Sequence, residues 1–193
     1  YKMSGVLPDQ SIQQMINSAT ITAQPPILSE QIQPASLDLR LGNTAWRVRA
    51  SFLSGDERKL TDRLKNFEMH EIDLSQGAVL EKGCVYVLPL METLDLPDDI
   101  QAVANAKSST GRLDLLTRVI TDNGTEFDRI RPGYKGPLYA EISPRTFSVL
   151  VRPGSRLSQL RLRRGISAPS DLVMESLQST VGLVHGVDRT DIR

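Results

Sequence analysis

Cysteine is almost absent from this chain: Cys84 is the only one among 193 residues, so no intrachain disulfide can form. That usage leads to the expectation of a reducing, cytoplasmic setting. Histidine is scarce too, with His70 in a charged stretch and His185 near the C-terminal end. A zinc site built from His or Cys plus a Cys-x-x-Cys pair is not expected from such a set, nor is Cys/His nucleophilic catalysis. Net charge is missing as well, since 23 Lys+Arg balance 23 Asp+Glu. Zero net charge provides no global field for a nucleic-acid polymer, although a few local cations suffice for a small anion. No apolar run approaches the roughly 20 residues that span a bilayer, so no membrane partner is expected. The first residues also lack the charged and apolar regions of a signal peptide. Neither a Walker A motif nor a Gly-x-Ser-x-Gly elbow occurs.

What the chain does hold is short-period patterning. Its length suits one compact domain with a small appendage. Pro8-Asp9 leads into Ile12, Met15 and Ile16 at helical spacing, which predicts a short amphipathic helix of about three turns. Pro25-Pro26 forces an extended passage. Leu37, Leu39 and Leu41 alternate with Ser36, Asp38 and Arg40, predicting a half-buried strand closed by Gly42-Asn43. Trp46, Val48 and Ala50 continue the alternation in a second strand. Residues 54–71 carry many charges and few apolar groups, and read as a surface excursion with a helical turn in Asp62–Phe67. Strand signals resume at Cys84–Leu88, Ile100–Ala104, Leu138–Ile142, Phe147–Val151 and Leu157–Leu162, with links rich in Gly, Pro, Asp or Asn between most of them. Many short strands at close spacing predict a mostly-β barrel or sandwich rather than a βαβ fold. Beyond Leu162 the pattern fades, and a helical turn over Met174–Leu177 is all that is expected there. No repeat or low-complexity tract is present.

Two places could carry chemistry. Lys107-Ser108-Ser109 follows directly on the expected strand Ile100–Ala106. A strand end turning at small hydroxylated residues can aim backbone N–H groups and hydroxyls at one point. Lys107 adds a mobile cation, Gly111 permits close backbone approach, and the planar fork of Arg112 suits oxyanions. Lys-Ser-Ser also occurs in many solvated loops, so the residues alone leave both an anion site and a plain loop open. Glu141 is the second place. In Leu138-Tyr139-Ala140-Glu141-Ile142, Tyr139 and Glu141 share one face of the strand, where a glutamate is ordinarily solvated. General acid–base work would need that carboxylate in a pocket.

The order of motifs resembles the dCTP deaminase family. Gln33-Pro34-Ala35-Ser36-Leu37-Asp38-Leu39-Arg40-Leu41-Gly42 is similar to that family's N-terminal signature, and Thr93-Leu94-Asp95-Leu96-Pro97 follows. Ala106-Lys107-Ser108-Ser109-Thr110-Gly111-Arg112-Leu113 is similar to its phosphate-binding segment. Arg131-Pro132-Gly133-Tyr134-Lys135-Gly136, Leu138-Tyr139-Ala140-Glu141, Val151-Arg152-Pro153-Gly154 and Ser158-Gln159-Leu160 complete the order. The resemblance covers about Gly5 to Leu162. It implies a mostly-β, distorted β-barrel of the dUTPase-like type, with a short N-terminal helix and few others, assembling as a homotrimer with intersubunit active sites. Residues 1–165 would form this domain and 166–193 a tail leading toward a second domain, the chain being one half of a longer form.

By the same resemblance, Lys107, Ser108, Ser109, Thr110 and Gly111 hold the triphosphate of dCTP, with Mg²⁺ riding on the phosphates and no zinc. Arg112 lies near the reacting base, Glu141 is the catalytic acid–base and Ser108 helps orient the water. Tyr139 and Ala140 line the pyrimidine pocket, and Gln159 contacts the nucleotide. The implied reaction is metal-free water attack on cytosine C4, giving dUTP and ammonia; dUTP or dTTP are further ligands to consider. Three departures stand out. Arg131 occupies the position of an aspartate that contacts the deoxyribose, so sugar recognition either differs or moves to a neighbour such as Asp128. The Ile120–Asp128 link is longer than usual, and the tail lacks the family's closing Tyr, Lys and Gln pattern. Alternatives to a deaminase are a bifunctional deaminase and dUTP diphosphatase, a dUTP diphosphatase, or a non-catalytic nucleotide-binding regulatory domain.

Overall fold

A computed structural model describes residues 4–165 together with 176 and 178–180. The helix predicted after Pro8-Asp9 is present as α1, Asp9–Asn17, and buries Ile12 and Met15. Its apolar stripe seals one end of a mostly-β body. Strands β1 (Gly5–Val6), β2 (Ile21–Ala23), β3 (Ile32–Gln33), β4 (Ser36–Arg40) and β5 (Thr44–Val48) precede the helix α2 (Leu60–Phe67). Then come β6 (Glu68–Asp73), β7 (Ala78–Leu80), β8 (Val85–Asp95) and β9 (Ile100–Ala106), followed by the short helix α3 (Ser108–Arg112). The remaining strands are β10 (Leu115–Thr121), β11 (Arg129–Ile130), β12 (Lys135–Pro144), β13 (Val149–Val151) and β14 (Arg156–Arg164). The turn expected over Met174–Leu177 falls, Ser176 apart, outside the described residues, as does His185.

The strands form two sheets and a small pair. One sheet runs β11-β9-β14-β4-β3, with β1 also on β14. The other runs β10-β12-β8-β5-β6, with β2 also on β8, while β13 pairs β7. Leu37, Leu39, Ala102, Ala104, Leu160 and Leu162 from the first sheet share one core with Leu88, Leu138, Ala140, Ile142 and Val119 from the second. An isolated bridge between Leu41 and Leu90 joins the sheets, so the body is a distorted barrel whose sheets stay separate rather than a closed one. Gly42 is required beside that bridge: a Cβ there would lie 2.9 Å from the Pro89 carbonyl oxygen. The β12–β8 register shifts between Pro137 and Tyr139. Pro137 and Pro89, which stands opposite Tyr139, both lack an N–H for the ladder there.

Two expectations are corrected. β4 is buried along its whole length rather than half-buried. Arg40 turns from the main core but donates to Glu92 at 2.9 Å and to the Pro25 and Pro26 carbonyls. Gln31 also bonds Glu92 and the Asp38 carbonyl, so the extended passage after α1 roofs this second face. A buried charge is tolerable only when paired and hydrogen-bonded in this way. The 54–71 excursion is likewise more than surface. Leu60 and Leu64, four apart on α2, pack with Phe52, Val48, Val87, Ile120 and Tyr139 as a second core. The Phe52 and Phe67 rings stack 4.4 Å apart, and residues from Glu68 onward form β6. This cover lies on the face of the second sheet turned away from the main core.

Candidate active site

The second core determines where Glu141 sits. Leu138, Ala140 and Ile142 of β12 point into the main core, which sends Tyr139 and Glu141 to the covered face. Glu141 is 1% exposed, so the ordinary solvent-facing reading of this residue fails. Its Oε2 accepts a hydrogen bond from the Ser51 hydroxyl at 2.6 Å. Its Oε1 accepts two from Arg118, from Nη2 at 2.5 Å and Nε at 3.2 Å. Arg118 stands directly opposite Glu141 in the β10–β12 register. Its guanidinium also donates to Ser51 at 3.0 Å and lies over the Phe127 ring, 3.7 Å from the centroid. Asp128 completes the group, accepting the Val119 N–H at 2.7 Å. Burial pushes the Asp128 carboxyl above the usual aspartate range, against the lowering effects of that N–H and of Arg118, and the Glu141 charge adds to the rise. Tyr139 is also buried, and its hydroxyl is pushed up to about 12 by desolvation and by Asp122.

The Lys107 segment lies on the first sheet. Lys107 precedes α3 and its ammonium is paired with Asp38, whose carboxylate is 1% exposed and keeps an unpartnered Oδ1. Gln159 faces Asp38 across the β14–β4 ladder and accepts from the Ser36 hydroxyl at 3.4 Å. Lys107 and Gln159, chosen separately from the sequence, therefore flank one buried aspartate. Thr110 is inward: it is buried and donates to the Leu157 carbonyl at 2.8 Å, tying α3 to β14. Ser108, Ser109, Gly111 and Arg112 are exposed. Among the described residues, the Ser108, Ser109 and Arg112 side chains make no hydrogen bond or ion pair, and nothing lies within 4 Å of where a Gly111 Cβ would stand. An open groove of about 430 Å³ runs beside them, lined by Gly111, Asp114, Leu116, Thr117 and Arg145.

Not all the sequence-chosen residues meet within one chain. The arginine on Glu141 is Arg118, whereas Arg112 stands beyond the start of β10. From Leu115 to Arg118 alone is about 10 Å of strand. Ala140 is fully buried in the main core, so only its backbone could meet a ligand, and that backbone is paired with Val119 and Leu88. Ser51, Arg118 and Phe127 escaped the sequence reading. The signal for Arg118 was present, because Leu115-Leu116-Thr117-Arg118-Val119-Ile120-Thr121 is a β-branched-rich run of strand length. Ser51 and Phe127 lie outside the strands and carry no such signal. Among the described residues, no group of three or more His, Cys, Asp and Glu side chains is arranged to hold a metal ion. No helix among them is long and apolar enough to cross a membrane.

Comparison with known proteins identifies the family and the fold. Residues 3–166 match the family model of the 2'-deoxycytidine 5'-triphosphate deaminase N-terminal domain. A dUMP-forming dCTP deaminase of Beutenbergia cavernae is 30% identical over 167 residues, covering 86% of this chain and 82% of that protein. A dCTP deaminase of Shewanella amazonensis is 30% identical over 172 residues, covering 84% of each. The crystal structure of 2'-deoxycytidine 5'-triphosphate deaminase from Agrobacterium tumefaciens superimposes with a TM-score of 0.86 at 54% identity. That match takes in 95% of this chain but 56% of the Agrobacterium chain, so this chain spans little more than half of that protein. With the family model matched over most of its length and the fold shared, this chain belongs to the dCTP deaminase family.

Proposed function

We propose that the protein deaminates dCTP to dUTP and ammonia, with Glu141 as general acid–base. The observation that carries this reading is the buried Glu141 carboxylate, held by Arg118 and Ser51 on a covered sheet face. Glu141 takes a proton from water as the water oxygen bonds to cytosine C4. It passes that proton to N3, then moves the proton of the new C4 hydroxyl to the amino nitrogen, and the C4–N bond breaks to release ammonia as the C4 carbonyl forms. Ser108 and Arg112, unpartnered among the described residues, orient the water and stabilise the charge that develops. Lys107, Ser108, Ser109 and the Gly111 backbone take the triphosphate, Mg²⁺ being carried on the phosphates. Binding there requires Lys107 to share its charge between Asp38 and the phosphates. Asp128, beside Arg118, serves as the acceptor for the sugar hydroxyl in place of Arg131, which is exposed.

Because the Lys107 and Glu141 groups lie on different sheets of one chain, the working site is assembled between subunits of a homotrimer. Leu113 and Leu116, 47% and 39% exposed beside Arg112, give that contact an apolar component. A second reading adds hydrolysis of dUTP to dUMP, favoured by the dUMP-forming name of the Beutenbergia relative. Incubation with dCTP and Mg²⁺, with ammonia and pyrophosphate assayed separately, tests both. Ammonia alone is expected for a deaminase, both products for the bifunctional form, and absence of ammonia overturns the proposal. Glu141→Gln is expected to reduce turnover by at least about 10²-fold while nucleotide binding persists. Unimpaired turnover in that variant would reassign the base.

A further inference from the structure

The Arg118 side chain does more than satisfy a buried charge, and this inference rests on the deaminase reading. Both of its contacts to Glu141 fall on Oε1, at 2.5 and 3.2 Å, whereas among the described residues Ser51 alone meets Oε2, at 2.6 Å. A carboxylate has about four lone-pair sites. Oε1 is thus saturated by one guanidinium and Oε2 retains a free lone pair. The guanidinium itself is held from three sides: by its place in the β10–β12 register, by the Phe127 ring, and by the Ser51 hydroxyl. Phe127 comes from the stretch between β10 and β11, and Ser51 from the stretch leading to α2, so two excursions converge on one arginine.

We infer that Arg118 is a positioning residue for deamination: by occupying Oε1 it restricts proton traffic on Glu141 to Oε2. Oε2 is then the oxygen that takes the proton of the attacking water and passes it to N3, and that afterwards carries the proton of the C4 hydroxyl to the departing amino group, each transfer ending in the carboxylate paired with Arg118. Ser51 keeps Oε2 in the orientation at which this exchange occurs. The groups facing Glu141 are Arg118 from β10, Ser51 from the α2 approach and Asp128 ahead of β11, while β8 contributes the apolar Val87. Removing Arg118 leaves Oε1 without its two donors and the carboxylate free to turn.

The test uses the full-length protein with Arg118→Gln, Arg118→Lys and Ser51→Ala, measuring kcat and KM for dCTP across pH and thermal melting as a check on folding. Arg118→Gln is expected to lower kcat on the order of 10²-fold with KM changed much less. Arg118→Lys should recover part of the rate by restoring the charge without the fork, and Ser51→Ala should lose roughly tenfold. A purely structural role predicts a lower melting temperature with kcat and KM impaired together and no rescue by Arg118→Lys. Wild-type kcat in Arg118→Gln would overturn the inference. If that variant does not fold, wild-type kcat in both Arg118→Lys and Ser51→Ala does the same. Ammonia release by the wild-type protein separates the two readings: its absence overturns both, whereas its presence with indifferent Arg118 variants overturns this one alone.

Discussion

Asp128 is the aspartate that the fold holds in its less comfortable protonation state. Its carboxyl is raised above the ordinary value of 3.8, chiefly by burial. A raised folded value means that the native state keeps the proton to higher pH than the unfolded chain does. Stability is therefore highest below the unfolded value and falls as pH rises through the folded one. Asp128→Asn retains an oxygen for the Val119 N–H and removes the charge. It is expected to melt at a higher temperature than wild type near neutral pH, with the difference closing below about pH 4. The same substitution should weaken dCTP binding, roughly tenfold in KM, if Asp128 accepts the sugar hydroxyl. Stabilisation with unchanged KM would assign Asp128 to the fold alone. At this scale the sequence was partly legible: Glu141 and Lys107 stood out by type and order, and in the structure Glu141 is itself buried while Lys107 pairs with the buried Asp38. Arg118 and Ser51 did not, because an arginine or serine acquires its meaning only from what lies opposite.

Among the elements, α2 shows how few apolar residues can redirect a charged stretch. Leu60 and Leu64 suffice to bury one stripe against Phe52, Ile120 and Tyr139, leaving Thr61, Asp62 and Lys65 in water. Leu64→Ala is expected to cost about 2–5 kcal/mol in urea denaturation, as for other buried leucines. Lys65→Ala, exposed on the same helix, should change stability by about 0.5 kcal/mol or less. Leu64→Ala should also lower kcat, because the cover it supports carries Ser51. Equal stability of the two variants would show that the second core contributes nothing. The expected strands at Ile100–Ala104, Leu138–Ile142 and Leu157–Leu162 lie inside β9, β12 and β14, where alternation or a continuous apolar face is strong. β10 was overlooked because Leu115 and Leu116, like Val119 and Ile120, fall on both faces and mask a period of two. Phe147, expected at the start of a strand, is 46% exposed ahead of β13.

For the whole molecule, the separation of the Lys107 and Glu141 groups leads to a complementation experiment. Ser108→Ala and Glu141→Gln proteins, each inactive alone, should recover activity when their subunits are unfolded and refolded together, since some sites then pair an intact serine with an intact glutamate. No recovery in a verified mixed oligomer would place both residues in one chain. The sequence by itself determined the strand-rich architecture, the N-terminal helix, the order of motifs and the two candidate groups. These are local properties, carried by side-chain alternation and by neighbours along the chain. Only the tertiary structure decided that both faces of β4 and β12 are buried, that Arg40 meets Glu92, and that Arg118 rather than Arg112 holds Glu141. Glu141 lies 23 residues from Arg118 and 90 from Ser51. Cross-strand register and the folding of one excursion over a sheet bring them together, and neither is written in the spacing of adjacent residues.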